Sequence, residues 1–296
     1  TLVVGFAGGR ASIEAQRDID GGWLWSGGDR AQARAGRNIT DKDEGLQVLH
    51  GNSDVNVSAR GDATVGRFTQ HGLLSLVLQW STKQVTSYLK NIAGFGPEAT
   101  LVVVSDAADT THTGRANSQI HPRLAEGELP AVAPAQITLA APQGSVVVVR
   151  GANLIQAPSV TSSLMVAAGE NVTFGDGNLT VSGANAAQAL QTVLSTASLG
   201  ELIGDPFAPG ARPMQSETAA PARVVAQRGD IELAQSLSLT TPLRMIAGDD
   251  IRQTSISGGT VNVQHTQDTQ LSLLQAGGDI ELTRNTVPSG STLNVH

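Results

Sequence analysis

The chain has no cysteine among its 296 residues, which excludes disulfides and any metal site built on thiolates. Aromatics are scarce: one Tyr, five Phe and three Trp. A conventional core of this size holds more, so small and β-branched interior residues are expected instead. Basic residues are outnumbered, 19 Lys and Arg against 26 Asp and Glu, giving a net charge of −7 with no Lys/Arg cluster. That balance gives no support to a nucleic-acid partner. No run of 18 apolar residues occurs, so no helix of this sequence is expected to span a membrane. The nearest stretch, Leu73 to Trp80, is short and is followed by Lys83 and Lys90. No charged n-region, apolar h-region or cleavage site opens the chain at Thr1-Leu2-Val3-Val4, which reads as a removed signal or an internal piece.

Glycine, in contrast, is abundant at 33 residues, and much of it falls in a recurring phrase. An apolar residue or Ala is followed by small or polar residues, Gly, then Asp, Asn or Glu, and then a β-branched residue that opens an alternating run. The phrase is clearest at Ala226-Gln227-Arg228-Gly229-Asp230-Ile231, Ala247-Gly248-Asp249-Asp250-Ile251 and Ala276-Gly277-Gly278-Asp279-Ile280. Looser copies are Ala35-Gly36-Arg37-Asn38-Ile39, Ala59-Arg60-Gly61-Asp62-Ala63, Gln143-Gly144-Ser145-Val146 and Ala168-Gly169-Glu170-Asn171-Val172. The Gly is expected to supply a positive-φ turn, and the residues after it to alternate inward and outward as a short strand.

A repeated unit of this kind cannot bury its apolar side alone, so copies must stack and share one core. Ile231 and Ile251 are 20 positions apart, and the apolar pairs Val261/Val263, Leu271/Leu273 and Ile280/Leu282 follow at steps of nine or ten. Two or three strands of about 3–5 residues per turn fit a right-handed parallel β-helix, an all-β solenoid, better than a leucine-rich horseshoe or a propeller. The pattern divides the chain into coils at 1–66, an irregular insertion or flank-covering segment at 67–135, coils at 136–183, a helix-plus-loop insertion at 184–222 and coils at 223–296. The middle coils carry the pairs Ile137/Leu139, Val146/Val148, Leu164/Val166, Val172/Phe174 and Leu179/Val181. Ala186, Ala187, Leu190, Val193, Leu194 and Ala197 recur at helical spacing, with Gly200 placed to end a short helix. Some 12–14 coils at about 4.8 Å each would make a rod on the order of 60 Å long.

Several of these segments resemble a known family. Pro122-Arg123-Leu124, the run Ile137-Thr138-Leu139-Ala140-Ala141-Pro142-Gln143-Gly144-Ser145-Val146 and Leu164-Met165-Val166-Ala167-Ala168-Gly169-Glu170-Asn171-Val172 resemble the distal repeats of large filamentous-haemagglutinin-like exoproteins. So do Pro221 to Ile231, Arg244 to Ile251 and Leu274 to Ile280. The resemblance covers about residues 120–296 and, more loosely, 1–66. It implies a secreted exoprotein of a Gram-negative bacterium, exported through an outer-membrane transporter and folded at the cell surface as a β-helical fibre. Such proteins act as adhesins, in biofilm and cell-to-cell contact, or as stalks presenting a toxin. The family's amino-terminal secretion domain is not evident, so a middle or distal section is expected. Its partners would be further coils of the same polypeptide, other copies in a fibre, and a host or bacterial receptor or glycan. A cysteine-free chain also suits passage, unfolded, through an outer-membrane pore.

The candidate sites follow from this frame. Parallel β-helices also carry polysaccharide lyases and hydrolases, whose sites use carboxylates on neighbouring coils. Asp230, Asp249, Asp250 and Asp279 form such a row, but acidic residues that recur at every turn are expected to shape the turn. Catalytic, cofactor and metal residues are therefore expected to be none. The Asp residues are too widely spaced for a nonapeptide calcium repeat, and the six His show no i,i+4 pair. Arg60-Gly61-Asp62 and Arg228-Gly229-Asp230 match the integrin-binding tripeptide, yet each coincides with the coil turn. Trp23 and Trp25 share a strand face on which a sugar could stack. The sequons at Asn38, Asn171 and Asn178 also suit Asn ladders between coils.

Overall fold

The computed structural model describes residues 2–5, 10–40, 45–70, 100–113, 131–156, 163–181, 220–234, 236–239, 242–254, 261–263, 271–282, 285–286 and 292–295. The flank segment around Leu73 to Trp80, the expected helix near 186–198 and nearly all of the loop after it lie outside the described residues.

Within them the regular structure is all β, and the strands form two long parallel sheets, stacked as in a parallel β-helix or solenoid. The first sheet stacks β2 (Ala11–Ala15), the end of β4 (Gly22–Ala35), the end of β6 (Leu46–Ala59), β8 (Thr100–Ser105) and β11 (Gln136–Ala141). It continues through β13 (Ser163–Ala168), β15 (Ala222–Ala226), β18 (Leu243–Ala247), β21 (Leu271–Ala276) and β24 (Thr292–Val295). The second sheet runs from β3 (Ile19–Asp20) through β5 (Ile39–Thr40), β7 (Ala63–Gln70), β9 (Thr110–His112) and β12 (Val146–Gln156). Beyond these lie β14 (Val172–Val181), β16 (Ile231–Leu233), β19 (Ile251–Gln253) and β22 (Ile280–Glu281).

A third run of parallel pairings joins β1 (Leu2–Gly5) to the starts of β4 and β6 and the end of β7. It resumes with β10 (Ala131–Ala133), the ends of β12 and β14, β17 (Ser236–Leu239), β20 (Val261–Val263) and β23 (Asn285–Thr286). The first sheet holds ten strands, about 45 Å end to end at the usual strand spacing. That is shorter than the rod expected from a twenty-residue coil, because the longest interval between equivalent corners is 59 residues.

Register places like residues on like. Ile19, Ile39, Ala63, Thr110, Val146, Val172, Ile231 and Ile251 form one inward column of the second sheet, each buried. At the last position of the first sheet stand Ala15, Ala35, Ala59, Ser105, Ala141, Ala168, Ala226, Ala247 and Ala276. This column sits where the chain turns toward the second sheet, and a methyl group is the side chain that fits a corner repeated at strand spacing. Ser105 fits too because its hydroxyl donates to the Gly61 carbonyl (2.7 Å) and accepts from the Ala108 N–H (3.0 Å). Ile137/Leu139, Val146/Val148, Leu164/Val166 and Val172/Phe174 are buried as the alternation predicts.

Three expectations are corrected. Residues 67–135 are not one insertion: β8, β9 and β10 lie in that span and add one strand each to the first sheet, the second sheet and the third run, with Leu101 and Val103 fully buried. Its corner, Asp106-Ala107-Ala108-Asp109, has no Gly, which hid the phrase. Leu271 and Leu273 do not form an inward pair: Leu271 is exposed, while Ser272 and Leu274 are buried. Ala276 has to join the alanine column, and with a period of two that forces Leu274 inward and Leu273 outward. The corner glycines also lack positive φ; among described glycines that conformation belongs to Gly21, Gly22 and Gly45, at the starts of β4 and β6.

The alanine column makes a direct prediction. Ala226→Leu overpacks the corner and should lower stability by about 1–3 kcal/mol. Val225→Leu, one residue away on the outward face, should stay within about 0.5 kcal/mol of wild type; denaturant unfolding of both variants reads the difference.

Candidate functional site

The corner between the two sheets holds the chemistry-bearing residues of the repeated phrase. It is short: three residues in Gly36-Arg37-Asn38 and four in Gln227-Arg228-Gly229-Asp230, for example. The residue before the second-sheet strand is Asp18, Asn38, Asp62, Asp109, Ser145, Asn171, Asp230, Asp250 and Asp279 in successive coils. In every one of these steps a side-chain oxygen accepts the backbone N–H of its counterpart one coil on. The N···O distances are 3.1 Å for Asn38 to Asp18, 3.1 Å for Asp62 to Asn38, 3.3 Å for Asp109 to Asp62 and 2.7 Å for Ser145 to Asp109. They are 3.3 Å for Asn171 to Ser145, 2.9 Å for Asp230 to Asn171, 2.9 Å for Asp250 to Asp230 and 2.6 Å for Asp279 to Asp250.

The carbonyls of these residues are used as well. Asn38 O accepts from Ile19 N–H at 2.9 Å, and Asp250 O accepts from Ile231 N–H at 2.8 Å, as the first bonds of the second sheet. The side chain therefore satisfies a backbone donor at this corner that the sheet ladder leaves without a carbonyl. Each such bond contributes about 0.5–1.5 kcal/mol net.

The glycines are explained by the same close stacking. A Cβ on Gly61 would stand 2.1 Å from Asn38 Oδ1, and one on Gly229 2.0 Å from Asn171 Oδ1, both on the ladder itself. Gly36 and Gly169 instead face the carbonyl oxygens of Gln16 and Pro142, at 2.1 and 2.0 Å. The requirement is for a missing side chain against the preceding coil, not for a left-handed backbone.

Asp230, Asp249 and Asp250 bring one carboxylate oxygen each within 4.8 Å of the others. Two of the three carboxylates, those of Asp230 and Asp250, are engaged in the ladder. Asp230 Oδ1 holds the Asp250 N–H while its Oδ2 takes Arg252 Nη1 at 3.3 Å. Asp250 Oδ1 holds the Asp279 N–H and its Oδ2 takes Arg252 Nη2. Arg252 is thus the cation of this cluster, and its own pKa is raised chiefly by the Asp250 charge. At the other end, Arg37 grips both oxygens of Asp18, with Nε to Oδ1 at 2.8 Å. That hydrogen bond is the main cause that lowers the Asp18 pKa to about 2.

The recognition candidates separate. In both Arg-Gly-Asp tripeptides the carboxylate is a ladder acceptor: Asp62 for the Asp109 N–H and Asp230 for that of Asp250. Arg228 lies 3.8 Å from Glu170, and Gly61 and Gly229 are pressed on the coil before them. Both tripeptides are therefore flat parts of the stack rather than projecting loops. Trp23 is only 6% exposed, so its ring is not offered to a sugar, and the side chain of Trp25 lies outside the described residues. Asn38 and Asn171 use their amide oxygens in the ladder, and Asn178 lies in β14 opposite Ser236.

Comparison with known protein families, with curated proteins and with solved structures finds no match.

Two variants test the corner. Asp250→Ala leaves the Asp279 N–H without its acceptor and should cost about 0.5–1.5 kcal/mol, whereas Asp250→Asn keeps an amide oxygen there and should recover most of the loss; thermal unfolding of the pair reads it. For Asp18 the folded pKa lies below the ordinary 3.8, so its contribution is full above that value and is lost as pH falls through about 2. Asp18→Asn keeps the acceptor but does not titrate, so its stability should fall less steeply than wild type over that window in acid-unfolding curves.

Proposed function

We propose that this chain is a structural and adhesive segment of a large secreted bacterial surface exoprotein, a fibre that serves attachment to surfaces or between cells. In this reading the two sheets and the third run of strands close into a right-handed parallel β-helix, with a short helix near 186–198 on its flank. The observation that carries the reading is the corner ladder. Each coil accepts a hydrogen bond from the next and donates one to the coil before, a relation that contains no terminator. Asp279 donates its N–H to Asp250, and among the described residues its carboxylate accepts nothing. It therefore stands as the acceptor for a further coil of the same kind.

The partners of such a segment are further coils of the same polypeptide or other copies in a fibre, an outer-membrane transporter during export, and a receptor or glycan on the surface it meets. The corner carboxylates support a structural rather than catalytic part, since their oxygens hold neighbouring coils and Arg252. The cell surface of a Gram-negative bacterium is the setting this reading assigns.

Electron cryo-microscopy of native material from the cell surface tests it. Coils continuing beyond both ends of this segment at about 4.8 Å are the expected result. A discrete particle capped at both ends, with one acidic groove, would overturn it.

A further inference from the structure

Among the described residues, the large apolar side chains that remain exposed are Met165 at 41%, Ile246 at 37% and Leu271 at 43%. All three lie on the outward face of the first sheet, within the four neighbouring strands β13, β15, β18 and β21. Register builds the rest of the patch. Met165, Arg223, Arg244 and Leu273 are successive partners in one outward column, and Ala167, Val225, Ile246 and Gln275 form the next. The same two columns carry Ser12, Gln32, Asn56 and Glu14, Arg34, Ser58 near the start of the stack. The face thus changes from polar to apolar along the stack.

Strand propensity accounts for an outward Val225 or Ile246, since β-branched residues suit a pleated surface wherever they point. It does not account for Met165, Leu271 or Leu273. Nor does it account for two arginines in direct register, about 4.8 Å apart, where like charges repel. Arg37 and Arg252 have carboxylate partners. Arg223 and Arg244 make no ion pair or hydrogen bond among the described residues, although the chain as a whole is acidic at −7.

We infer that this face is a docking surface for a protein partner that presents carboxylates beside apolar side chains. Charge complementarity selects the acidic partner, since its carboxylates would relieve the repulsion between Arg223 and Arg244 while Met165, Ile246 and Leu271 are removed from water. Met and Arg are residues that the centres of protein interfaces favour. The apolar flanks are aliphatic, whereas sugar stacking uses flat aromatic faces. The patch spans roughly 15 Å across four strands and about 13 Å along them. That is the centre of a small, transient interface rather than an obligate one. The inference does not depend on the fibre reading.

The test uses the full 296-residue chain and a soluble fluorescent peptide of alternating Glu and Leu, with Lys-Leu and Glu-Ser peptides as controls. The Glu-Leu peptide should bind best, and its binding should weaken with salt. It should weaken by at least about tenfold in the R223E/R244E variant and in the M165S/I246S variant. All four positions are on the outward face, so both variants should keep the wild-type melting temperature, which is measured alongside. Equal binding of Glu-Ser, or Glu-Leu binding that either variant leaves intact, would overturn the proposal. So would Arg-dependent binding to phosphatidylserine vesicles or to polygalacturonate that exceeds binding to the peptide, since a lipid surface or an acidic glycan would then be the occupant.

Discussion

The structure depends on one short hydrogen bond repeated along a corner: a side-chain oxygen reaching the backbone N–H of its counterpart in the next coil. A stack of parallel strands pairs backbone groups well along each face, but at a sharp corner the N–H before the second-sheet strand points between carbonyls. An Asp, Asn or Ser oxygen is near enough to the backbone to reach that donor across a single strand spacing. The longer Glu and Gln side chains would have to fold back and lose rotamer freedom to do so. Once this reach is set, the neighbours have little choice. Gly61 and Gly229 must leave room for the acceptor of the coil before them, and the column from Ala15 to Ala276 must be small enough for the chain to turn.

The price of the ladder is electrostatic. Stacked carboxylates repel, by about 1 kcal/mol per pair at close range even in water. The sequence spreads the charge: Asn38, Ser145 and Asn171 are neutral rungs, and in the run Asp230, Asp250, Asp279 the first two have Arg252 against them. A row of acids beside an Arg resembles a catalytic constellation in outline. In this row Asp230 and Asp250 each hold the next backbone N–H along the stack with one oxygen and Arg252 with the other. Stacking by itself accounts for the recurrence of short polar residues along this corner.

How much of this was legible in the sequence depended on whether a residue's role shows in its local pattern. The Gly-Asp phrase located most corners, and the Asn ladder foreseen at Asn38 and Asn171 follows from the same chemistry. Asp109 escaped notice because Ser105 replaces the Ala and no Gly precedes the Asp, although neither change breaks the rung. Leu271 to Leu274 offered two apolar registers, and only the position of Ala276 in the stacked column decides between them. Glycine was read as a source of positive φ because an isolated turn would need it. The clash with the preceding coil appears only once coils are stacked. For Trp23 the strand pattern shows which residues share a face but not that its ring is buried. The paired arginines Arg223 and Arg244 are 21 positions apart, and their adjacency is a property of register alone.

The rungs also explain where this architecture can change. Successive ladder residues are separated by as few as 20 positions and as many as 59, yet the corner that carries them is always three or four residues long. Added length therefore enters at the other turns of the coil, away from the ladder. A loop there costs closure entropy that grows only slowly with its length. An insertion at the ladder corner would instead break two hydrogen bonds and shift the register of everything stacked on it. Outward positions on the first sheet are free for a different reason: they face neither the core nor the ladder. A change from Gln32 to Arg244 along one outward column alters the surface while leaving every inward contact as it was. Recognition can thus diversify on the faces and distant loops while the corner keeps the stack in register.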